Sequence, residues 1–135
     1  MKKIAIIEDD QAISQMYRMK FENDGYEVET AENGKLGLEL VKKMMPDIIL
    51  LDIMMPEMNG DEMLAKLREE TWGKNIKVLV LTNIGEQELP KSLGALDVLG
   101  IIMKAELTPK QVSIRVKSEL EKIKNSVSYN AVEIE

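Results

Sequence analysis

The apolar positions of the chain switch back and forth between two spacings, and the switch recurs five times. Lys3–Ile7 is a short, nearly continuous apolar run of strand type. Ile13, Met16, Tyr17 and Phe21 then recur at helical spacing, and Asp24-Gly25 ends that helix. Residues 26–30 alternate as a second strand. Asn33-Gly34 turns the chain into a helix carrying Leu36, Leu40, Val41 and Met44, which Pro46 stops. Ile48–Leu51 is wholly apolar, as in a strand covered on both faces. Asn59 is placed to cap a third helix, with Asp61 and Glu62 in its first turn and Met63, Leu64 and Leu67 on its apolar face. Lys77–Thr82 reads as a fourth buried strand. Residues 86–93 form a weaker helical pattern, in which Pro90 is tolerable only near the first turn. Residues 99–103 are a fifth strand. Thr108-Pro109-Lys110-Gln111 is a capping box with proline at the first helical position, followed by a stripe of Val112, Val116, Leu120 and Ile123.

Strand and helix thus alternate five times. Buried strands alternating with amphipathic helices predict an α/β fold: a doubly wound, five-stranded parallel sheet with five helices, in the flavodoxin-like order 2-1-3-4-5. The pattern divides the chain into one domain over residues 1–125 and a polar, frayed tail over 126–135. In such a sheet a ligand binds beyond the carboxyl ends of the strands, where the strand order reverses, here between the first and third strands.

Composition narrows the chemistry. The 135 residues include neither cysteine nor histidine, which removes disulfides, thiol catalysis, imidazole bases and the usual zinc sites from this chain. The net charge of −6 comes without a basic stripe, so direct nucleic-acid binding is not expected. The bases between Lys110 and Lys124 interleave with Glu119 and Glu121, as on a solvated helix face. No apolar run approaches the ~20 residues of a membrane span, and a cytoplasmic location is the default expectation. Met54, Met55, Met58 and Met63 read as adaptable core filler rather than a binding face.

The carboxyl ends of the predicted strands hold the candidate chemistry. The first delivers Glu8, Asp9 and Asp10, the third Asp52, the fourth Thr82 and the fifth Lys104. Taken singly, most have plain explanations: Asp10 as the cap of the first helix, Thr82 as a strand-end residue, Lys104 as a surface lysine. Asp52 resists one, because an acid at the end of an oily strand costs free energy unless something compensates it. Carboxylates gathered in one crevice repel each other and suit a hard cation; Mg2+ takes one or two carboxylates together with waters and phosphate oxygens. Lys104 adds a point charge able to hold a carboxylate or phosphoryl oxygen, and Thr82 adds a hydroxyl donor. Asp52 then has a chemical role open to it, as a nucleophile forming an aspartyl-phosphate.

Over about residues 2–125 these features resemble the receiver domain of bacterial two-component response regulators, of the chemotaxis-regulator-like kind. IIEDD resembles the family's acidic pocket. DIMMPEMNG resembles its phosphoacceptor loop, with Asp52, Pro56 and Gly60 in register. VLVLT resembles the fourth strand with its switch threonine, and Lys104 matches the family lysine. The resemblance implies that Asp52 accepts a phosphoryl group from a phosphohistidine on a sensor histidine kinase or histidine phosphotransfer protein. It implies that Asp9 ligates Mg2+ directly, Glu8 through a water and Met54 through its backbone carbonyl, and that Thr82 and Lys104 sense the phosphoryl group. It implies a downstream effector protein at the face built from the fourth helix, fifth strand and fifth helix, leaves a homodimer open, and makes the chain a switch rather than an enzyme. Three positions depart from the family pattern: Asn83 where a small residue is usual, Ile101 where an aromatic is common, and Ala105 in place of the proline after the lysine. In the family, the side chains two past the phosphoacceptor and two past the threonine flank the path of the hydrolytic water. Here they are Met54 and Ile84, both apolar, so slow loss of the phosphoryl group is expected.

A stand-alone receiver or a receiver fragment of a longer regulator is therefore expected. The competing reading is a pseudo-receiver, the same fold binding partners without phosphate. A flavin carrier would want a Ser/Thr/Gly phosphate cradle after the first strand, where this chain has three acids. A dehalogenase-type phosphatase would want an acid where Met54 stands.

Overall fold

The computed structural model describes the backbone of residues 1–134 and the side chains of residues 1–122 apart from Glu86. Five parallel strands, β1 (Lys3–Ile7), β2 (Glu27–Ala31), β3 (Ile48–Leu51), β4 (Lys77–Thr82) and β5 (Gly100–Met103), form one sheet in the order β2-β1-β3-β4-β5. Four α-helices are found among the described residues: α1 (Gln11–Asn23), α2 (Gly34–Met44), α3 (Gly60–Glu69) and α4 (Pro109–Ile134). The strand order is the expected one.

The expected fourth helix over residues 86–93 is corrected. The segment forms two short 3-10 turns, Glu86–Glu88 and Lys91–Ala95, closed by bonds from Glu88 N to the Gly85 carbonyl at 2.9 Å and from Leu93 N to the Pro90 carbonyl at 3.2 Å. Proline disfavours helical dihedrals in the residue before it and removes a donor, and Pro90 falls mid-segment rather than in the first turn. Its own ψ of 130° takes the chain out of the helical region. Leu93 still docks in the core, so the segment is seated although it is not an α-helix.

The final helix begins as the capping box predicts: Thr108 N donates to Gln111 Oε1 at 2.8 Å, and Gln111 N to Thr108 Oγ1 at 3.2 Å. It continues to Ile134, through most of the stretch expected to fray, while Glu135 lies outside the described residues.

The sheet separates two cores, and strict alternation sorts the strands between them. Ile4, Ile6, Ile48, Leu50, Leu79, Leu81 and Ile102 pack with Tyr17 and Phe21 of α1 and Val112 and Val116 of α4. Ala5, Ile7, Ile49, Leu51, Val78 and Val80 pack with Val41 of α2 and Met63, Leu64 and Leu67 of α3. Met55 and Met63 are core filler as expected, whereas Met54 is 60% exposed.

One arginine closes the lower side of the second core. Arg68, at the end of α3, donates to the carbonyls of Gly73, Lys74, Ile76, Leu96 and Asp97 in five hydrogen bonds of 2.8–3.3 Å. It thereby ties α3, the loop before β4 and the exit of the 3-10 segment to one another.

Candidate functional site

The same alternation that fills the cores builds the site. Glu8 lies two residues past Ile6, Asp52 two past Leu50 and Lys104 two past Ile102, and all three of those apolar residues face the α1/α4 core. The strand ends are level, since Ile7 pairs with Leu51, Leu51 with Val80 and Val80 with Ile101. Backbone bonds carry the ladder into the site, from Asp52 N to the Ile7 carbonyl at 3.0 Å and from Lys104 N to the Thr82 carbonyl at 2.8 Å. Thr82 follows Val80, on the other parity, and so enters from the α2/α3 side.

Residues far apart in sequence therefore line one crevice of about 360 Å3: Glu8, Asp9, Asp52, Thr82, Lys104 and Met54, together with Asp10, Asn83 and Ile84. All six sequence-predicted site residues are brought together there. Asp10 takes the plain role expected of it, its Oδ1 accepting from Ile13 N at 3.0 Å at the start of α1. The Lys104 ammonium sits between two carboxylates, 2.5 Å from Glu8 Oε1 and 3.3 Å from Asp52 Oδ2. Thr82 is fully buried, and its Oγ1 accepts from Ile84 N at 3.1 Å, which leaves its hydroxyl proton available to an oxygen in the crevice.

Two buried carboxylates share one cation, and one excess negative charge is left over. Burial, reinforced by the neighbouring Asp52, pushes the Glu8 carboxyl up to about 8 despite its contact with Lys104. Burial opposes the charge on Lys104, but the bond to Glu8 and the charges of Asp52 and Glu8 outweigh it and hold the ammonium above its ordinary range. Glu8 is thus the carboxyl that burial holds toward its protonated form. A folded value above the unfolded one means that Glu8 contributes stability in full below about pH 4.3, and that this is lost as pH rises through about 8. In the absence of metal, urea stability should fall across that window on the order of 1 kcal/mol per pH unit, and Glu8→Gln should flatten the slope. Equal slopes in the two proteins would refute the assignment.

The donor set fits a hard cation. Carboxylate oxygens of Glu8, Asp9 and Asp52 lie within 4.8 Å of one another. Glu8 Oε2 is buried with no hydrogen-bond partner among the described residues, and a buried unpaired oxygen of this kind calls for a cation or water.

The loop after Asp52 is tightly constrained. Met58 N bonds to the Pro56 carbonyl at 2.7 Å around Glu57, whose φ is +66°, a compact turn of the strained kind. Gly34 N then donates to the Met58 carbonyl at 3.0 Å, and a Cβ at Gly34 would come within 2.6 Å of that oxygen. The turn residues Asn33-Gly34 thus fix the loop to α2, a contact that the sequence signals only as a turn. Asn33 also caps α2, accepting from Leu36 N at 2.8 Å. Asn59, expected to cap α3 in the same way, makes no side-chain cap bond; only its carbonyl serves the helix, accepting from Met63 N at 3.0 Å.

Comparison with known proteins points the same way. Residues 4–117 match the response regulator receiver domain. The chain is 36% identical over 98 residues to sporulation initiation phosphotransferase F of Bacillus subtilis, covering 70% of this chain and 77% of that one. It is 30% identical over 119 residues to the alkaline phosphatase synthesis transcriptional regulatory protein PhoP of the same organism, covering 88% of this chain but 48% of that one. Against RpaA of Synechocystis the match spans only 36% of the relative, so the chain covers half or less of several regulators it resembles. Among solved structures, a CheY-like receiver domain from Methanospirillum hungatei superposes with a TM-score of 0.84 at 27% identity, covering 93% of this chain and 98% of the other. The chemotaxis protein CheY4 of Vibrio cholerae superposes with a TM-score of 0.80 at 29% identity, covering 87% and 98%. With a match over most of its length and the acidic crevice at the expected strand ends, the chain belongs to the response regulator receiver domain family.

Proposed function

We propose that the chain is a phosphorylation-dependent signalling switch with Asp52 as its phosphoacceptor. The observation that carries this reading is the Asp52 carboxylate, held 3.3 Å from the Lys104 ammonium in a crevice that also presents Glu8 and Asp9. An Asp52 oxygen attacks phosphorus and forms an O–P bond as the P–N bond to the donor imidazole breaks. The electron pair of that bond stays on the imidazole nitrogen, which takes up a proton. Lys104 exchanges Glu8 for a phosphoryl oxygen, and Thr82 donates its hydroxyl proton to another. Asp9, Asp52, the Met54 carbonyl and, through a water, Glu8 would hold Mg2+. When bound, Mg2+ would offset the charge on the transferring oxygens.

The donor is a sensor histidine kinase or a histidine phosphotransfer protein in the cytoplasm. The effector face is β5 with the 3-10 segment and α4 beside it. The switch unit is residues 1–125, standing alone or within a longer regulator. Intact mass after incubation with a small phosphodonor tests the reading. A single phosphoryl adduct that requires Mg2+ and is absent from Asp52→Ala is the expected result. No adduct and no Mg2+ binding would replace the switch with a phosphate-independent scaffold.

Met54 and Ile84 line the crevice without any group able to orient a water. The adduct should therefore be long-lived, and Met54→Asn and Ile84→Glu should each shorten its lifetime. Unchanged decay in both variants would show that these positions do not control hydrolysis.

A further inference from the structure

Three consecutive residues after the phosphoacceptor position part company. Ile53 and Met55 are turned into the α2/α3 core, and Met54 between them is turned out over the crevice, 60% exposed. The backbone that carries it is pinned on both sides, by the bonds from Asp52 N to the Ile7 carbonyl, from Gly60 N to the Ile53 carbonyl and from Gly34 N to the Met58 carbonyl. Filling a core is the usual work of a methionine. Met44, Met55 and Met63 do that work here, and Met54 does not. Its thioether is the only sulfur among the described residues that line the crevice; the other side chains there are carboxylates, an amide, a hydroxyl, an ammonium and aliphatic groups. The chain has no cysteine, so no thiol of its own competes for a two-electron oxidant. Oxidation turns a thioether into a polar sulfoxide, and at an exposed position that change disturbs no core packing.

We propose that Met54 is an oxidation site through which hydrogen peroxide shortens the life of the phosphoryl adduct on Asp52. The Met54 sulfur attacks one peroxide oxygen, an S–O bond forms and the O–O bond breaks. Sulfur gives up two electrons, and the second oxygen leaves with them, taking up the proton of the first to depart as water. The new sulfoxide oxygen accepts hydrogen bonds. It stands on the wall formed by the Met54 and Ile84 side chains, which in the reduced protein offers a water nothing to bond to. A water held there faces the phosphoryl group, so the oxidised protein loses that group faster than the reduced one. The inference rests on reading Asp52 as the phosphoacceptor.

The test treats the protein with a low dose of hydrogen peroxide, locates sulfoxides by peptide mass and follows decay of the adduct in treated and untreated samples. Met19 is the control, 62% exposed on α1 and no part of the crevice. After treatment, wild type and Met19→Leu should each lose the phosphoryl group about two- to tenfold faster, the rate equivalent of one net hydrogen bond. Met54→Leu, measured against its own untreated decay, should not respond. Methionine sulfoxide reductases acting on both sulfoxide epimers should restore slow decay in the wild type. Met54 spared while Met19 is oxidised, unchanged decay once Met54 is oxidised, an equal response in Met54→Leu, or an acceleration that the reductases do not reverse would each overturn the proposal. Untreated wild type that takes up no phosphoryl group would instead overturn the phosphoacceptor reading, and this inference with it.

Discussion

Gly60→Ala is expected to cost about 3 kcal/mol of folding stability, a loss large enough to leave part of the population unfolded at ordinary temperatures. The cause is backbone, not side chain. A Cβ on Gly60 would fall onto the carbonyl oxygen of Asp52, and it would also lie 3.0 Å from the Asp52 carbonyl carbon and the Ile53 Cα. None of these atoms can swing aside as the tip of a flexible side chain could. Gly60 N meanwhile donates to the Ile53 carbonyl at 2.9 Å, which holds the close approach in place. Relief requires moving α3 away from the strand end or moving Asp52, so phosphoryl uptake should fall along with stability. Gly94→Ala is the matched control. No atom lies within 4 Å of its added Cβ, and its change should stay within about 0.5 kcal/mol. Urea midpoints of the two variants decide the matter, and similar midpoints would contradict the steric account.

Arg68→Met should cost about 2–3 kcal/mol, although residue 68 lies outside the crevice. The substitution keeps an apolar stem but removes all five hydrogen bonds. The Gly73 carbonyl, in a buried residue, has the poorest access to replacement water, whereas those of Lys74 and Asp97 are in exposed residues and recover more easily. Burial lowers the guanidinium from its usual range, so Arg68 holds its charge here against a desolvation cost that the carbonyls offset. Arg68→Lys should recover little, because an ammonium cannot present a planar fork to acceptors on both sides. Amide exchange provides a second readout: protection should drop at residues 96–97 and 73–76 before it drops in β1 or β3. Uniform loss of protection would mean that Arg68 supports the whole fold rather than this junction.

How much was legible follows from what kind of signal each feature leaves. Ile48–Leu51 and Lys77–Thr82 are apolar on both faces, so their place inside a parallel sheet can be read directly. Glu8, Asp52 and Lys104 could be placed because two-residue alternation carries each one step beyond a buried neighbour. The capping box at Thr108 worked because both partners are side chains with fixed offsets. The 86–95 segment misled because the spacing of its leucines suits a helix while Pro90 interrupts it, and the local backbone constraint prevailed. Arg68 left no trace because its partners are carbonyls, which every residue carries.

The strand order has a consequence for the time course of folding. β1 pairs with β3, and both are made long before β5. Synthesis runs from the N-terminus, so β1 and β3 exist before β5 does. The acidic half of the site, Glu8 and Asp52, can therefore be drawn together on paired strands while Lys104 is still unsynthesised. For that interval two carboxylates converge without their ammonium, and a cation from solution or a retained proton has to stand in. Pulse-labelled hydrogen exchange during refolding would register it as protection in β1 and β3 preceding β5, with the interval shortened by added Mg2+. Simultaneous protection of all three strands would show that the nascent site never passes through that uncompensated stage.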